Sequence, residues 1–581
     1  MSRQLLLKTK DIKQVQWVKF YIFSFAIFIF TIISIFAVRD RVYDVEMCIV
    51  RFSFAFFLIF LEHYLFAIRK IRVEKRKIVL GIGLIFCAIL VGFFSVKLLV
   101  LFSVFPSFSM LYVMVIAGVI LCLELIALFL HGKISDTLLL SSIIFIIGTV
   151  YAFSYPAVTL ISWDDQTHYE RCVILSHFNM DHALLSDADS LLINSAYQRA
   201  LNQMPVETVR GFADQVNEVY LSGAKHYEMG ERLSYGQPLT YLPSAIALLI
   251  GRGLCLPYSF TFALGRWANT IVYSILLYLA MKKVKSGKLL FFLLSMFPTT
   301  LLLMSNYTYD SWGIGFTILA FAFWLEIMQD EERAFVFRDL IWICLCFALG
   351  CAAKPIYFPM ILVFLFTPGS KISNQLGSKR YQGIILFMSV LLLASFVVPY
   401  LASGVGGNDM RGGTEVDSAR QIHYIFEHIL SYIAMLLAFL KDYWFSGRYI
   451  YLMAYLGSAD YNAFLLLFVA LICVLDKTEA DIHVINWKNR IWTIILAIVT
   501  SSLIVTAIYI SFNPVGTETI QGCQPRYLLP ILPFVFYFLG DYRASALLKR
   551  YLNHHIFVSI ISIISVIYTT YTIWEKCITV F

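Results

Sequence analysis

The sequence predicts an all-α polytopic integral membrane protein, on three observations. Hydrophobic residues make up 60% of the 581-residue chain and charged residues only 14%, whereas a soluble domain carries about 25% charged residues. Apolar runs of about 20 residues, enough to cross a hydrocarbon layer about 30 Å thick, recur from one end to the other. No alternating strand pattern competes with them, so helices rather than a barrel satisfy the backbone in lipid.

The formal net charge of +8 does not point to nucleic acid, because the lysines and arginines gather in short loops between apolar runs, the bias of cytoplasmic membrane loops. Most of the 11 cysteines fall inside apolar runs, as Cys344, Cys346 and Cys351 do, and no paired CxxC units offer a zinc site. They read as small core residues. Cys172 and Cys523 fall in segments placed outside, where they could pair, although no spacing requires it.

Taken in order, the basic amino terminus (Lys8, Lys10, Lys13, Lys19) precedes a run too long for a signal-peptide core, which stays as a first membrane helix with the terminus cytoplasmic. That helix runs from about Trp17 to Val38 and a second from Cys48 to Ile68. The basic stretch from Arg69 to Lys77 then fixes a cytoplasmic loop. Ile78 to Val104 leads out, with Lys97 close enough to the outer end to snorkel. Met110 to Leu130 returns, and Leu138 to Leu160 leads out again.

From Ser162 to Gly236 nothing could span, and acidic residues outnumber basic ones. This is an external loop with room for short helices lying on the membrane. Pro238 to Leu256 reads as a juxtamembrane helix, because Ser259 to Met281 must end at the basic, cytoplasmic Lys282 to Lys288. The chain continues through Leu289 to Met304, an external turn at Asn306 to Asp310, Trp312 to Met328, a short pair (Leu340 to Ala353 and Ile356 to Phe366) hinged at Lys354-Pro355, and Gln382 to Tyr400. Ile429 to Leu440 is taken as interfacial. Tyr461 to Leu475, Ile491 to Phe512, Tyr527 to Leu539 and Ile556 to Trp574 complete about 15 spans.

The division expected is accessory N-terminal transmembrane helices over 1–136, a catalytic transmembrane core over 137–540 whose external loop covers 162–258, and a cytoplasmic loop with a last helix over 541–581.

The chemistry gathers where the fifth span leaves the bilayer. Asp164 and Asp165 stand side by side, with His168 one helical turn on. Carboxylates there could hold a divalent cation through hard oxygen ligands, or one could act as general base toward a hydroxyl. Asp310, in a turn on the same side, could complete the cluster. Lys354 and Arg526 are cations at outer helix ends, and Arg266 lies one to two turns inside a helix that starts outside. Acids at the centre with cations around them suit a phosphate leaving group, which arginine binds bidentately and lysine as a point charge.

Trp163, Tyr169, Tyr235, Tyr241, Tyr307 and Tyr309 form either an interfacial belt or a surface on which sugars stack. Asn306-Tyr307-Thr308 matches a glycosylation acceptor pattern too close to the bilayer to serve as one. No glycine-rich phosphate loop, nucleophile elbow or HExxH is present, which argues against a nucleotide-driven pump and a serine hydrolase.

Six motifs in order, Asp164-Asp165-Gln166-Thr167-His168, Tyr235 to Pro243, Gly265 to Asn269, Tyr309-Asp310, Ala353 to Tyr357 and Gln524 to Pro530, resemble a bacterial family of predicted membrane proteins of unknown function placed in the GT-C superfamily of polytopic glycosyltransferases. The resemblance covers about Leu138 to Leu539. It implies transfer of a sugar from a polyprenyl-phosphate donor to a cell-envelope glycan acceptor on the extracytoplasmic face of the plasma membrane. Carried over, Asp164 is the base or metal-linked acid, Asp165 and Asp310 its acidic partners and His168 a support. Arg266, Lys354 and Arg526, with Gln524 and Tyr527, hold the lipid-phosphate, while Trp163, Tyr235, Tyr241 and Tyr309 face the acceptor. The cofactor that the resemblance leaves open is a divalent cation, Mg or Mn, on Asp164, Asp165 and Asp310.

Two positions depart from the family pattern. Asp165 stands where the family usually has glutamate, shortening its reach to a metal, and Pro525 stands where glycine is frequent, removing an amide donor beside Arg526. Two other classes share this composition, a transporter or flippase of lipid-linked glycans and a polysaccharide polymerase or ligase. A transporter calls for polar residues near the bilayer middle, whereas these gather at one surface. For the first four helices, packing against a membrane protein partner is one expectation.

Overall fold

The computed structural model describes residues 73–105, 107–177, 183–194, 206–221, 225–228, 237–254, 256–403, 415–549 and 553–578. The expected helices Trp17 to Val38 and Cys48 to Ile68, and Tyr235, lie outside the described residues. The chain divides into two compact units, Met1–His131 and Gly132–Phe581.

In the first unit α1 (Val73–Leu101) and α2 (Met110–Leu130) pack together. Ser109 caps α2 by accepting the Leu111 amide at 3.2 Å, satisfying one of the orphan donors of a helix start. Lys97 lies 4.3 Å from the centre of the Phe108 ring, a cation-π contact that holds the ammonium beside apolar surface.

The second unit begins with α3 (Asp136–Ser154), capped by Ser135 on the Leu138 amide. This helix ends before Pro156, earlier than the sequence predicts, because a proline disfavours helix in the residue before it. The segment from Tyr155 to Trp163 is therefore an irregular strap, and the acidic pair sits beyond it rather than at a helix exit. There follow α4 (Asp165–Ser176), β1 (Ala183–Ser186), α5 (Asp187–Asn194), α6 (Val206–Leu221), β2 (Lys225–Glu228) and α7 (Gln237–Gly253). β1 and β2 pair antiparallel, Ala183 opposite Glu228 and Ser186 opposite Lys225, adding a two-stranded ribbon to the described helices.

Helix α7 buries Thr240, Tyr241, Ser244, Ala245 and Leu248 while Leu242, Ile246, Leu249 and Ile250 stay exposed. Its polar and small side chains, with Leu248, face the protein and its other leucines and isoleucines face outward, the arrangement of a helix lying against lipid. It packs on α4 and on α8 (Tyr258–Lys283), which in turn packs on α3 and on the helix Asp310–Met328.

Next come α9 (Lys288–Ser295) and α10 (Pro298–Met304), one apolar stretch broken at Pro298, then α11 (Asp310–Met328) and α12 (Phe337–Gly350). The predicted span Ile356 to Phe366 is a 3₁₀ run, Pro355–Phe366, packed against α13 (Ser378–Ser403). Pro359 inside it removes an amide donor, so the i to i−4 ladder of an α-helix cannot run through. Helices α14 (Ser418–Glu427) and α15 (Ile429–Phe445) meet at 104°, so the segment taken as interfacial is the second arm of a bent pair. The rest is α16 (Arg448–Tyr451), α17 (Asn462–Leu475), α18 (Trp487–Phe512), a 3₁₀ turn Pro525–Leu528, α19 (Leu532–Leu539), α20 (Tyr542–Lys549) and α21 (His554–Ile573).

Seven helices among the described residues are long and apolar enough to cross a membrane, in α1, α2, α3, α11, α13, α18 and α21, or eight if the bent pair is one span. This fits a helical membrane protein with several spans.

Candidate functional site

Four charged side chains from four separate parts of the second unit form one row. Lys354 Nζ is 3.0 Å from Asp310 Oδ1. Arg526 Nη1 is 3.0 Å from Asp310 Oδ2 and its Nη2 is 3.0 Å from Asp164 Oδ2. The row alternates cation and acid and sums to zero, the condition under which buried charges are tolerated. Arg526 has no exposed side-chain surface and Asp310 keeps 7%, whereas Asp164 keeps 24%. Asp164 is thus the acid open to a ligand.

Local structure sets each member. Asp310 opens α11, where the helix dipole favours a carboxylate, and Thr308 braces it by accepting the Asp310 amide at 3.0 Å. Lys354 precedes the 3₁₀ run, its ammonium 3.9 Å from the centre of the Tyr527 ring and 4.7 Å from that of Tyr309. Arg526 lies in the 3₁₀ turn before α19. Tyr443 donates to the Gln524 carbonyl at 2.7 Å and Tyr357 to the Tyr527 carbonyl at 2.9 Å, which fixes that turn on both sides. Burial opposes the charge of Arg526, but Asp310, Tyr527, Tyr309 and Asp164 together outweigh it, and its pKa is raised.

Asp164 precedes α4 with φ 57° and ψ 19°, the left-handed region that costs a residue other than glycine about 1 kcal/mol or more. Aspartate tolerates it better than most, and strain held at one such residue is characteristic of sites. The turn aims Asp164 at Arg526 and Asp165 the opposite way. Asp165 is fully buried and accepts the amides of Leu160, Ile161 and Ser162 at 2.6, 3.1 and 3.0 Å. Burial raises its pKa to about 6 against those donors and Arg266, which leaves it ionised at neutral pH.

Arg266 does not join the row. Its guanidinium donates to the carbonyls of Pro156 at 2.8 Å and Val158 at 2.6 Å and to the Asn306 side chain at 3.1 Å. With Asp165 it pins the two ends of the strap, so the expectation that it holds a lipid-phosphate is corrected to a positioning role. Asn306 is buried and bonded to Arg266.

The donor set does not suit a metal. Asp165, one of three expected ligands, is taken up by backbone amides, and Arg526 bridges the other two. Among the described residues no group of three histidine, cysteine, aspartate or glutamate side chains is placed to hold an ion.

His168 is buried on the same side. Its Nδ1 shares a 2.7 Å hydrogen bond with the Tyr241 hydroxyl, and its ring meets Tyr309 edge to face at 4.8 Å. Burial, followed by the Arg526 charge, lowers its pKa to about 3, so the imidazole is neutral. Trp163 is buried under Arg526, 5.1 Å from ring centre to guanidinium carbon, and Tyr241 is committed to His168. Of the three described residues expected to stack a sugar, only Tyr309 keeps partial exposure.

Buried polar atoms without a hydrogen-bond partner recur in the two segments that meet here. They are Ser162 Oγ, Gln166 Oε1 and His168 Nε2 from one, and Gln524 Oε1 and Arg526 Nε from the other. Native interiors leave few such atoms. Tyr357 and Tyr443 escaped assignment in the sequence. Tyr357 ends the Ala353 to Tyr357 motif, but nothing around Tyr443 separates it from the other aromatic residues of its helix. Cys172 and Cys523 are both free thiols, so the disulfide option is closed.

A family model, "Predicted membrane protein (DUF2142)", matches residues 145–535, more than half of the chain. The chain belongs to this family. The matched region of this DUF2142 protein takes in Asp164, Asp310, Lys354 and Arg526, and starts beyond the first compact unit. No curated protein and no solved structure matches the chain.

Proposed function

We propose that this protein is a GT-C-type membrane glycosyltransferase that moves a sugar from a polyprenyl-phosphate donor to an envelope glycan acceptor outside the bacterial plasma membrane. The observation that carries this reading is the sharing of one buried arginine between two carboxylates, beside polar atoms that lack partners.

In the chemistry proposed, the donor phosphate approaches the unpartnered Arg526 Nε and the remaining donors of Lys354. An anion there competes with Asp164 for the guanidinium, so donor binding releases the base. Asp164 then takes the proton of an acceptor hydroxyl as its oxygen bonds to the anomeric carbon. The bond from that carbon to the phosphate oxygen breaks, the electron pair leaves with polyprenyl phosphate, and Arg526 and Lys354 hold the developing charge. Attack from the face opposite the phosphate inverts the anomeric centre. Asp310 keeps the two cations in place, while Asp165 and Arg266 hold the strap that presents Asp164.

The test is release of polyprenyl phosphate from labelled polyprenyl-phosphate sugars by the purified protein with envelope glycan acceptors. Protein-dependent release with an elongated acceptor supports the reading. No release, combined with labelling of a cysteine placed at residue 164 by impermeant thiol reagents from both membrane sides in turn, would establish the transporter class instead.

A further inference from the structure

A second built feature lies at the other end of α11. A cavity of about 450 Å³ opens between the start of α12 and the first turns of α13. Phe337, Leu376 and Phe387 line its apolar part, and Ser373, Gln375 and Arg380 its polar part. Its rim is held by backbone pairing, with Phe335 donating to the Lys371 carbonyl at 2.7 Å and Ser373 donating to the Phe335 carbonyl at 3.1 Å. The Lys371 ammonium is tied to the Asp330 carbonyl, two residues past the end of α11. Asp310 opens that helix, and 19 residues at about 1.5 Å each separate its two ends by roughly 28 Å. The cavity therefore stands a membrane thickness away from the charged row.

Three properties identify its occupant. From Lys371 to Arg380 the chain carries Lys371, Lys379 and Arg380 and no acid, and Lys379 and Arg380 are exposed. Phe337 and Phe387 are 59% and 65% exposed, and Ile341, Leu386 and Val390 continue the apolar surface along both helices. A Cβ added at Gly383, which lines the cavity, would meet nothing within 4 Å. The facing stretch from Asp330 to Asp339 carries four acids and two bases, so the cationic side of the mouth is the Lys379–Arg380 turn, and that pair over an exposed apolar slot matches an amphiphile with an anionic head.

We propose that this cavity binds one anionic phospholipid of the leaflet opposite the charged row, its phosphate at Arg380 and Lys379 and an acyl chain along Phe337 and Phe387. The site is independent of the glycosyltransferase reading.

The test uses the full chain, delipidated in a neutral detergent and examined by native mass spectrometry and thermal unfolding. Dioleoylphosphatidylglycerol should be retained as one molecule per chain and raise the unfolding midpoint, whereas dioleoylphosphatidylcholine and glycerol 3-phosphate should do neither. Arg380→Glu should cut retention about tenfold or more by placing like charge at the phosphate. Gly383→Leu should do the same by filling the slot, and since the new side chain enters open space the lipid-free midpoint should stay at the wild-type value. Equal retention of the two lipids, competition by glycerol 3-phosphate, or unchanged retention in both variants would overturn the proposal.

Discussion

Arg526 Nη2 lies 3.0 Å from Asp164 Oδ2 with no exposed surface on the arginine side chain, while the same guanidinium holds Asp310 through its other terminal nitrogen. One buried cation thus serves two acids, and its removal strips Asp164 of this partner and leaves Asp310 with Lys354 alone. Arg526→Ala should cost about 3–5 kcal/mol of stability, the usual penalty for breaking a buried pair. Arg526→Lys keeps the charge but loses the fork. It should unfold near wild type yet lose at least about a hundredfold in kcat/KM for a lipid-phosphate donor, a loss of about 2.7 kcal/mol in transition-state binding. Thermal unfolding and steady-state transfer assays separate the two effects.

The two neighbouring aspartates should fail in different ways. Asp165→Ala deprives three buried amides of their acceptor and should cost a few kcal/mol, at about 1–3 per unsatisfied group before relaxation. Asp164→Asn removes a partly exposed carboxylate and keeps a side chain that tolerates positive φ, so its unfolding midpoint should move little. Midpoints measured side by side check the contrast.

Arg266 should behave as a structural residue. Its guanidinium is committed to two carbonyls of the strap and to Asn306, and Arg266, Val158 and Asn306 are all buried. Arg266→Met should lower the unfolding midpoint sharply, and its KM for donor, measured below that midpoint, should stay within about threefold of wild type, roughly 0.6 kcal/mol. A rise in KM matching that of Arg526→Lys would return Arg266 to the donor site.

Stability should carry two opposed acid responses. His168 titrates near 6.5 when unfolded and at about 3 when folded, so its contribution is present above 6.5 and lost as pH falls toward 3. Asp165 titrates near 3.8 when unfolded and at about 6 when folded, so its contribution grows as pH falls from 6 to 3.8. Between pH 6 and 4 the two slopes oppose. His168→Gln should gain stability relative to wild type as pH falls from 7.5 to 5, and Asp165→Asn should lose it. Unfolding midpoints at the two pH values give the sign.

Much of the site is legible in the sequence because charged residues are rare in this chain and stand out at the ends of apolar runs. Asp164, Asp310, Lys354 and Arg526 are found that way, and the structure joins them. What separates Asp164 from Asp165 is not legible, since it depends on three amides of an irregular strap that turns back on the pair. The strap exists because Pro156 ends α3 early, and the apolar residues after it read as more helix. Arg266 misleads for the same reason, as carbonyls freed by that break are invisible to side-chain pattern. The Pro355–Phe366 run shows the same limit, because its apolar composition fits a spanning helix while two prolines dictate a 3₁₀ path.

The central claim is that Asp164 is the base for transfer from a lipid-phosphate donor. Its most direct measurement is sugar transfer from a polyprenyl-phosphate donor by wild-type protein and Asp164→Asn at matched unfolding midpoints. The account predicts a loss of at least about a thousandfold in kcat, within the range expected for removal of a general base. Transfer at the wild-type rate by Asp164→Asn would contradict it.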